Sequence, residues 1–204
     1  MSKPLLVAAT NNRQKFAELA RVFAANGQTL QPYWLYVGRQ QFPKEGTADF
    51  TNNAEGKARF VQTLLPEAVV IADDSGLLVD ALPDHFGITT MRELMAHAQT
   101  DAAMNDYILE LLNQHAGEPR TATLTTTLTV AGPNETWLTA TGQTNFTVPS
   151  APRGNHSVGF DKIMWLPEVG LTLAELPDAA RIPFTPRGKA VPVLLEKMRA
   201  VGVI

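Results

Sequence analysis

Four segments of this sequence carry residues that could do chemistry. The first is Thr10-Asn11-Asn12-Arg13-Gln14-Lys15, between an apolar run and an amphipathic stretch. In open α/β sheets, ligands sit beyond the carboxyl ends of the strands. A helix N-terminus there offers unpaired N–H groups to a phosphate, and Lys15, one turn in, adds a full charge. The alternative is that Asn11 or Asn12 only caps the helix while Lys15 is solvated. The segment is not a Walker loop, because G-x-x-x-x-G-K-[ST] occurs nowhere in the chain.

The second segment, Asp73-Asp74-Ser75-Gly76, directly follows the apolar run Val69 to Ala72. Two adjacent carboxylates repel, and a divalent cation is the natural offset, since hard cations prefer carboxylate oxygen. An Asp beside such an ion could take a proton from water. The competing reading is a turn at the end of a strand, with one Asp as a cap. The third segment offers Glu45 as a further metal-side carboxylate and Lys57 as a further phosphate contact. Singly, a loop Glu and a helix Lys are more often solvated.

The fourth is a C-terminal series: Pro152-Arg153-Gly154, Gly159-Phe160-Asp161, Arg181 and Thr185-Pro186-Arg187-Gly188-Lys189. An aromatic face can stack on a base, and Arg can hydrogen-bond a carbonyl-bearing base edge. Otherwise these are ordinary surface loops with Phe160 turned into a core. His85, His97, His115 and His156 show no H-E-x-x-H spacing, and no G-x-S-x-G elbow occurs. The histidines read as loop or surface residues.

The elements that must position these groups follow from periodicity. Leu5 to Ala9 reads as a strand buried on both faces. Phe16, Leu19, Ala20 and Phe23 mark a helix face that Asn26-Gly27 ends. A second strand is expected around Leu30 to Val37. Ala54, Ala58, Val61 and Leu65 give another helix, stopped by Pro66. Val69 to Ala72 is a short buried strand. Met104, Ile108, Leu111 and Leu112 define a helix with Thr100 or Asp101 as N-cap. Thr121 to Val130 and Thr136 to Val148 read as an antiparallel hairpin around Gly132-Pro133-Asn134. Val191, Leu194, Leu195 and Met198 give a closing helix. The order implies a mixed α/β sheet covered by helices on both faces.

The 204 residues suit a single domain spanning 1–204 or two close lobes. Hydrophobic residues at 45% and charged residues at 18% make an ordinary globular mixture. A net charge of −3 argues against a broad nucleic-acid face. The absence of cysteine excludes disulfides, thiol nucleophiles and Cys-held metal clusters, and fits a reducing cytoplasm. No run approaches the ~18 apolar residues of a membrane span, and the stretch after Met1-Ser2-Lys3-Pro4 is too short for a secretory leader.

Three motifs in order resemble one family. Ala9-Thr10-Asn11-Asn12-Arg13-Gln14-Lys15 with Glu18 is similar to A-T-x-N-x-x-K-x-x-E. Phe50-Thr51-Asn52-Asn53-Ala54-Glu55-Gly56-Lys57-Ala58 is similar to F-x-x-N-A-x-x-K-A. The run Ala72 to Leu82 is similar to A-D-D-S-G-L-x-V-D-A-L. The family is that of the inosine triphosphate pyrophosphatases, also called XTP/dITP diphosphatases.

The resemblance implies an elongated mixed β-sheet flanked by helices, with two lobes, a central nucleotide cleft and a homodimer. It implies Mg²⁺-dependent cleavage of a nucleoside triphosphate to monophosphate and pyrophosphate, with ITP, dITP and XTP as substrates. Thr10, Asn11, Asn12 and Lys15 would hold phosphates, with Lys57 as a further contact. Glu45 and Asp73 would stand at the metal with Asp74, which is also the general base, and Ser75 would contact substrate.

The C-terminal half departs from the pattern. F-G-[YW]-D-P becomes Val158-Gly159-Phe160-Asp161-Lys162, a substrate-contacting Lys becomes Arg181, and S-H-R becomes Thr185-Pro186-Arg187. Phe160, Asp161, Arg181 and Arg187 remain candidate substrate contacts. Proline supplies neither a side-chain donor nor an N–H, so base reading is altered at Pro186. Two rivals follow: a pyrophosphatase with another base preference, and a nucleotide-binding protein without turnover.

Overall fold

The computed structural model describes residues 4–204 of an α/β fold. The first three residues, part of the leader reading, lie outside the described residues. In chain order the elements are β1 (Leu6–Ala8), α1 (Arg13–Ala25), β2 (Gln31–Pro32), α2 (Trp34–Val37), α3 (Phe50–Leu64), β3 (Val69–Val79), α4 (Thr90–His97), α5 (Asp101–Gln114), β4 (Thr121–Gly132), β5 (Thr136–Thr147), β6 (Trp165–Leu166), β7 (Leu171–Thr172), α6 (Asp178–Arg181) and α7 (Pro186–Ala200). Three short 3-10 turns lie at Gly159–Ile163, Leu173–Glu175 and Ile182–Phe184.

The strands form one mixed sheet in the order β2-β1-β3-β4-β5-β6-β7. β1 runs parallel to both neighbours, with Val7 opposite Gln31 and Val70. From β3 onward the pairing is antiparallel. Ser75 meets Thr126, and Asp80 N–H donates to the Thr121 carbonyl, so partners advance in one strand as they retreat in the other. Thr123–Asn145, Gln143–Thr125 and Thr127–Thr141 step the same way along the expected hairpin. β5 to β6 and β6 to β7 are also antiparallel.

The chain groups into two compact units. One comprises the chain up to Ser75, Thr126–Gly142 and Arg187–Ile204; the other Gly76–Thr125 and Gln143–Pro186. In the first, Val7, Val70 and Ala72 of the sheet pack with Ala58 and Val61 of α3. Leu6, Ala8, Val69 and Ile71 point the other way by strand alternation and are equally buried. On α1, Leu19, Val22 and Phe23 are buried, and Asn26 caps the helix before Gly27 at φ +75°. All four expected apolar positions of α7 are fully buried. In the second unit, Leu77, Leu94, Ile108, Phe146 and Met164 form the core. Thr100 caps α5 by accepting the Ala103 N–H.

Two expectations are corrected. The strand around Leu30 to Val37 is only Gln31–Pro32, because Tyr33 turns to φ −55°, ψ −32° and starts α2. Aromatic residues favour strands in isolation, but here tertiary contacts win. Tyr33 is fully buried and meets Trp34 and Phe42 edge-on at 5.9 and 5.5 Å. The strand expected to stop at Ala72 continues to Val79, so Asp73-Asp74-Ser75-Gly76 lies within β3 and not in a turn after it.

Candidate active site

Because β3 stays extended through the acidic pair, Asp73 and Asp74 point to opposite faces of the sheet. Each meets different helices of the first unit. The repulsion expected to call for a metal is relieved first by this divergence and by protein cations.

On one face Asp73 is 2% exposed. Its Oδ2 accepts from Arg187 Nη2 at 2.5 Å and lies 3.8 Å from Lys15 Nζ. Arg187, at the start of α7, also donates to Glu18 of α1 at 2.6 Å. Burial alone would raise the Asp73 pKa, but Lys15, Arg187 and Lys57 outweigh it and hold the carboxyl well below its usual range. Burial likewise opposes the Arg187 charge, and Glu18 and Asp73 more than reverse that. Both Nη groups of Arg187 are thus engaged by carboxylates and its buried Nε has no partner. Arg187, a candidate substrate contact, has both Nη groups in this bridge. Ser75 shares a 2.8 Å hydrogen bond with Thr126 and lies 3.5 Å from Arg187 Nη2.

On the other face Asp74 Oδ2 accepts from Asn53 Nδ2 at 2.9 Å, and Oδ1 lies 3.6 Å from Lys57 Nζ. The same ammonium donates to Glu45 at 2.9 Å. Burial raises the Asp74 pKa above its usual value, and Lys57 and Asn53 only partly counter it. Burial works against the charge of Lys57, but Asp73, Asp74 and Glu45 together raise its pKa.

The segment from Thr10 to Lys15 is braced from within. Thr10 Oγ1 accepts the Asn12 N–H, and Asn12 Oδ1 caps α1 by accepting from Gln14 and Lys15 N–H. Asn11 donates to the Gln40 carbonyl at 2.8 Å and accepts from the Tyr33 hydroxyl at 2.7 Å. Both asparagine side chains therefore shape the loop, and the capping reading applies to Asn12.

Three further candidates lie in the second unit. Phe160 is half-buried and packs against that unit's core. Arg181 is 7% exposed and its guanidinium is surrounded: Asp161 at 3.4 Å, Asp178 at 2.5 Å, and the His156 and Leu176 carbonyls. It has the burial of a structural residue, unlike the surface-loop reading.

Among the described residues, no group of three or more His, Asp or Glu side chains is arranged around a common metal position. Two hard oxygen donors, Glu45 and Asp74, do converge on Lys57. That donor set suits Mg²⁺, which typically takes one or two carboxylates plus substrate phosphates. Asp73 is less suited, because its Oδ2 is held by Arg187. Sequence reasoning gave no role to Asn53, Tyr33 or Thr126. Asn53 had a usable signal: it lies four residues before Lys57, on the same helical face. Tyr33 and Thr126 had none, because only the fold brings them near.

A family model described as the Ham1 family matches residues 6–197. A dihydroneopterin triphosphate diphosphatase of Limosilactobacillus reuteri is 35% identical over 94% of this chain and 96% of its own. A dITP/XTP pyrophosphatase of Listeria monocytogenes is 33% identical over 98% of this chain and 97% of its own. A HAM1 protein structure from Coxiella burnetii superposes with a TM-score of 0.80 at 26% identity, covering 97% of this chain and 99% of that one. Among the described residues no helix is long and apolar enough to cross a membrane.

Proposed function

The chain belongs to the Ham1 family and is a nucleoside triphosphate pyrophosphatase; on that premise we propose that it performs Mg²⁺-dependent hydrolysis of aberrant purine nucleoside triphosphates (ITP, dITP and XTP), giving the monophosphate and pyrophosphate. The observation that carries this reading is Asp74: a buried carboxylate with a raised pKa, beside Lys57 and one ammonium away from Glu45.

Asp74 accepts the proton of the attacking water. A pKa raised toward neutrality makes a carboxylate a better base. Lys57 and Lys15 offset the roughly four negative charges of the triphosphate, on a chain whose own net charge is −3. Glu45 and Asp74 are the residues that would hold Mg²⁺. When bound, the ion neutralises phosphate charge and lowers the pKa of a coordinated water. Arg187 keeps Asp73 ionised and fixed, and the braced loop from Thr10 to Lys15 presents the N-terminal end of α1 to phosphate.

A second reading has its own support. The Limosilactobacillus relative is named for dihydroneopterin triphosphate, Arg187 is bridged between Glu18 and Asp73, and Pro186 carries no donor. A pterin and a 6-oxo purine share a carbonyl and ring N–H edge, and both substrates offer the same phosphoanhydride. Pyrophosphate release should be measured with Mg²⁺ across ITP, XTP, dITP, dUTP, the four common nucleotides and dihydroneopterin triphosphate. Preference for ITP or XTP supports the first reading, and preference for the pterin supports the second. No release from any of them would leave a binding protein without turnover. The resemblance also supports a cytoplasmic homodimer, which sedimentation velocity tests for its size.

A further inference from the structure

Asn53 lies on α3, one turn before Lys57, and is 6% exposed. Its amide is engaged at both ends. Oδ1 accepts the Gly46 N–H at 2.8 Å. Nδ2 donates to Asp74 Oδ2 at 2.9 Å and lies 3.4 Å from the Gly46 carbonyl. Gly46 directly follows Glu45, and residues 38–49 form neither helix nor strand. The position of Glu45 therefore depends on ties from outside its own segment. Two such ties are Lys57, at 2.9 Å from Glu45 itself, and Asn53, at the next residue's backbone.

The chemistry of the side chain matters here. A carboxylate could accept from Gly46 but would repel Asp74, and an ammonium could donate to Asp74 but could not accept from Gly46. An amide does both without charge. It also fixes one oxygen of Asp74 and leaves Oδ1 turned to the Lys57 side.

We infer that Asn53 is a positioning residue that sets the Glu45 loop and the Asp74 carboxylate against each other, so that the two act on the same phosphate-bound site. The inference rests on the reading of Asp74 as base and Glu45 as its companion, and goes beyond it by giving the pair a dedicated holder. Side chains that orient such ligands typically change metal affinity or activity by about 10–100-fold when removed.

The test uses the full chain with Asn53→Ala and the volume-conserving Asn53→Leu. Mn²⁺ binding is followed by electron paramagnetic resonance, and pyrophosphate release is split into kcat and KM. The expected result is a kcat and an Mn²⁺ affinity both lower by about 10–100-fold, with KM for the triphosphate little changed. A role in folding alone would lower the melting temperature and leave Mn²⁺ affinity and kcat intact. That result, in either folded variant, overturns the inference. Amide exchange of the unmodified protein gives a check that needs no variant. Gly46 N–H should be protected, and fast exchange there overturns the inference as well. Asp74→Asn and Glu45→Gln run in parallel separate the two levels. If they lose turnover while the Asn53 variants do not, only the role of Asn53 fails. If they retain it, the reading of the site fails too.

Discussion

Asp73 and Asp74 are consecutive in β3 yet are held on opposite faces: Asp73 accepts from Arg187 at 2.5 Å, and Asp74 from Asn53 at 2.9 Å. Alternation along a strand makes this possible. The two carboxyl pKa values are driven apart, Asp73 down by its cations and Asp74 up by burial. Neighbouring carboxyls split in this way can divide structural and proton-accepting roles.

Arg187→Ala should be severely destabilising. It leaves Asp73 buried and without its hydrogen-bonded cation. Breaking a buried pair from one side typically costs about 3–5 kcal/mol. At about 2–4 °C per kcal/mol for a chain of this size, the melting point should fall by roughly 10 °C. Adding Asp73→Asn should recover part of the loss, since the stranded charge is then gone. Urea unfolding measures both, and a loss within about 0.5 kcal/mol, as for an ordinary surface change, would sink the idea.

Asp74→Asn should do two opposite things. Turnover should drop by about 10²–10⁴-fold, the usual effect of removing a positioned base. Stability should rise, because a carboxyl with a raised pKa is ionised at neutral pH against the preference of the folded state. Pyrophosphate release and a thermal melt on one preparation decide it. Near-normal release, or a lower melting point, contradicts the assignment.

The pH dependence follows from the same directions. The base must be ionised, so kcat/KM should fall as pH drops through the Asp74 pKa, with an acid limb above the ordinary Asp value of about 4. Asp73 has a folded pKa below its unfolded one. Its contribution to stability is full above the unfolded value of about 4 and fades as pH falls toward the folded one. Activity should therefore be lost at a higher pH than the fold. A pH–rate profile beside pH-dependent melts checks the order, and coincident losses would refute it.

Gly154→Ala should impair folding of the second unit. Gly154 has φ +84°, and a Cβ there would lie 2.2 Å from the Ala174 carbonyl carbon and 2.3 Å from its oxygen. Both obstacles are backbone, so no side chain can move aside. A melting point lowered by several degrees, or loss of soluble protein, is expected. A melt matching that of the unmodified chain would refute this steric argument.

Much of the fold was present in local pattern. The apolar run at β1, the helical faces of α1, α3, α5 and α7, the hairpin of β4 and β5 and the cap at Thr100 all depend on neighbours within a few residues. Spacing of two or about four positions encodes them directly. The chemical residues were also visible as types, since acids, lysines and glycines stand out in their motifs. Tertiary structure decided who holds whom. Arg187 reaches Glu18 across 169 positions, Asn53 reaches Asp74 across 21, and Tyr33 reaches Asn11 across 22. It also decided that Tyr33 begins a helical turn and that the acidic pair lies inside a strand. Such outcomes depend on strand register and on which helix covers which face. Those are set by packing of the whole chain, and short-range periodicity carries no record of them.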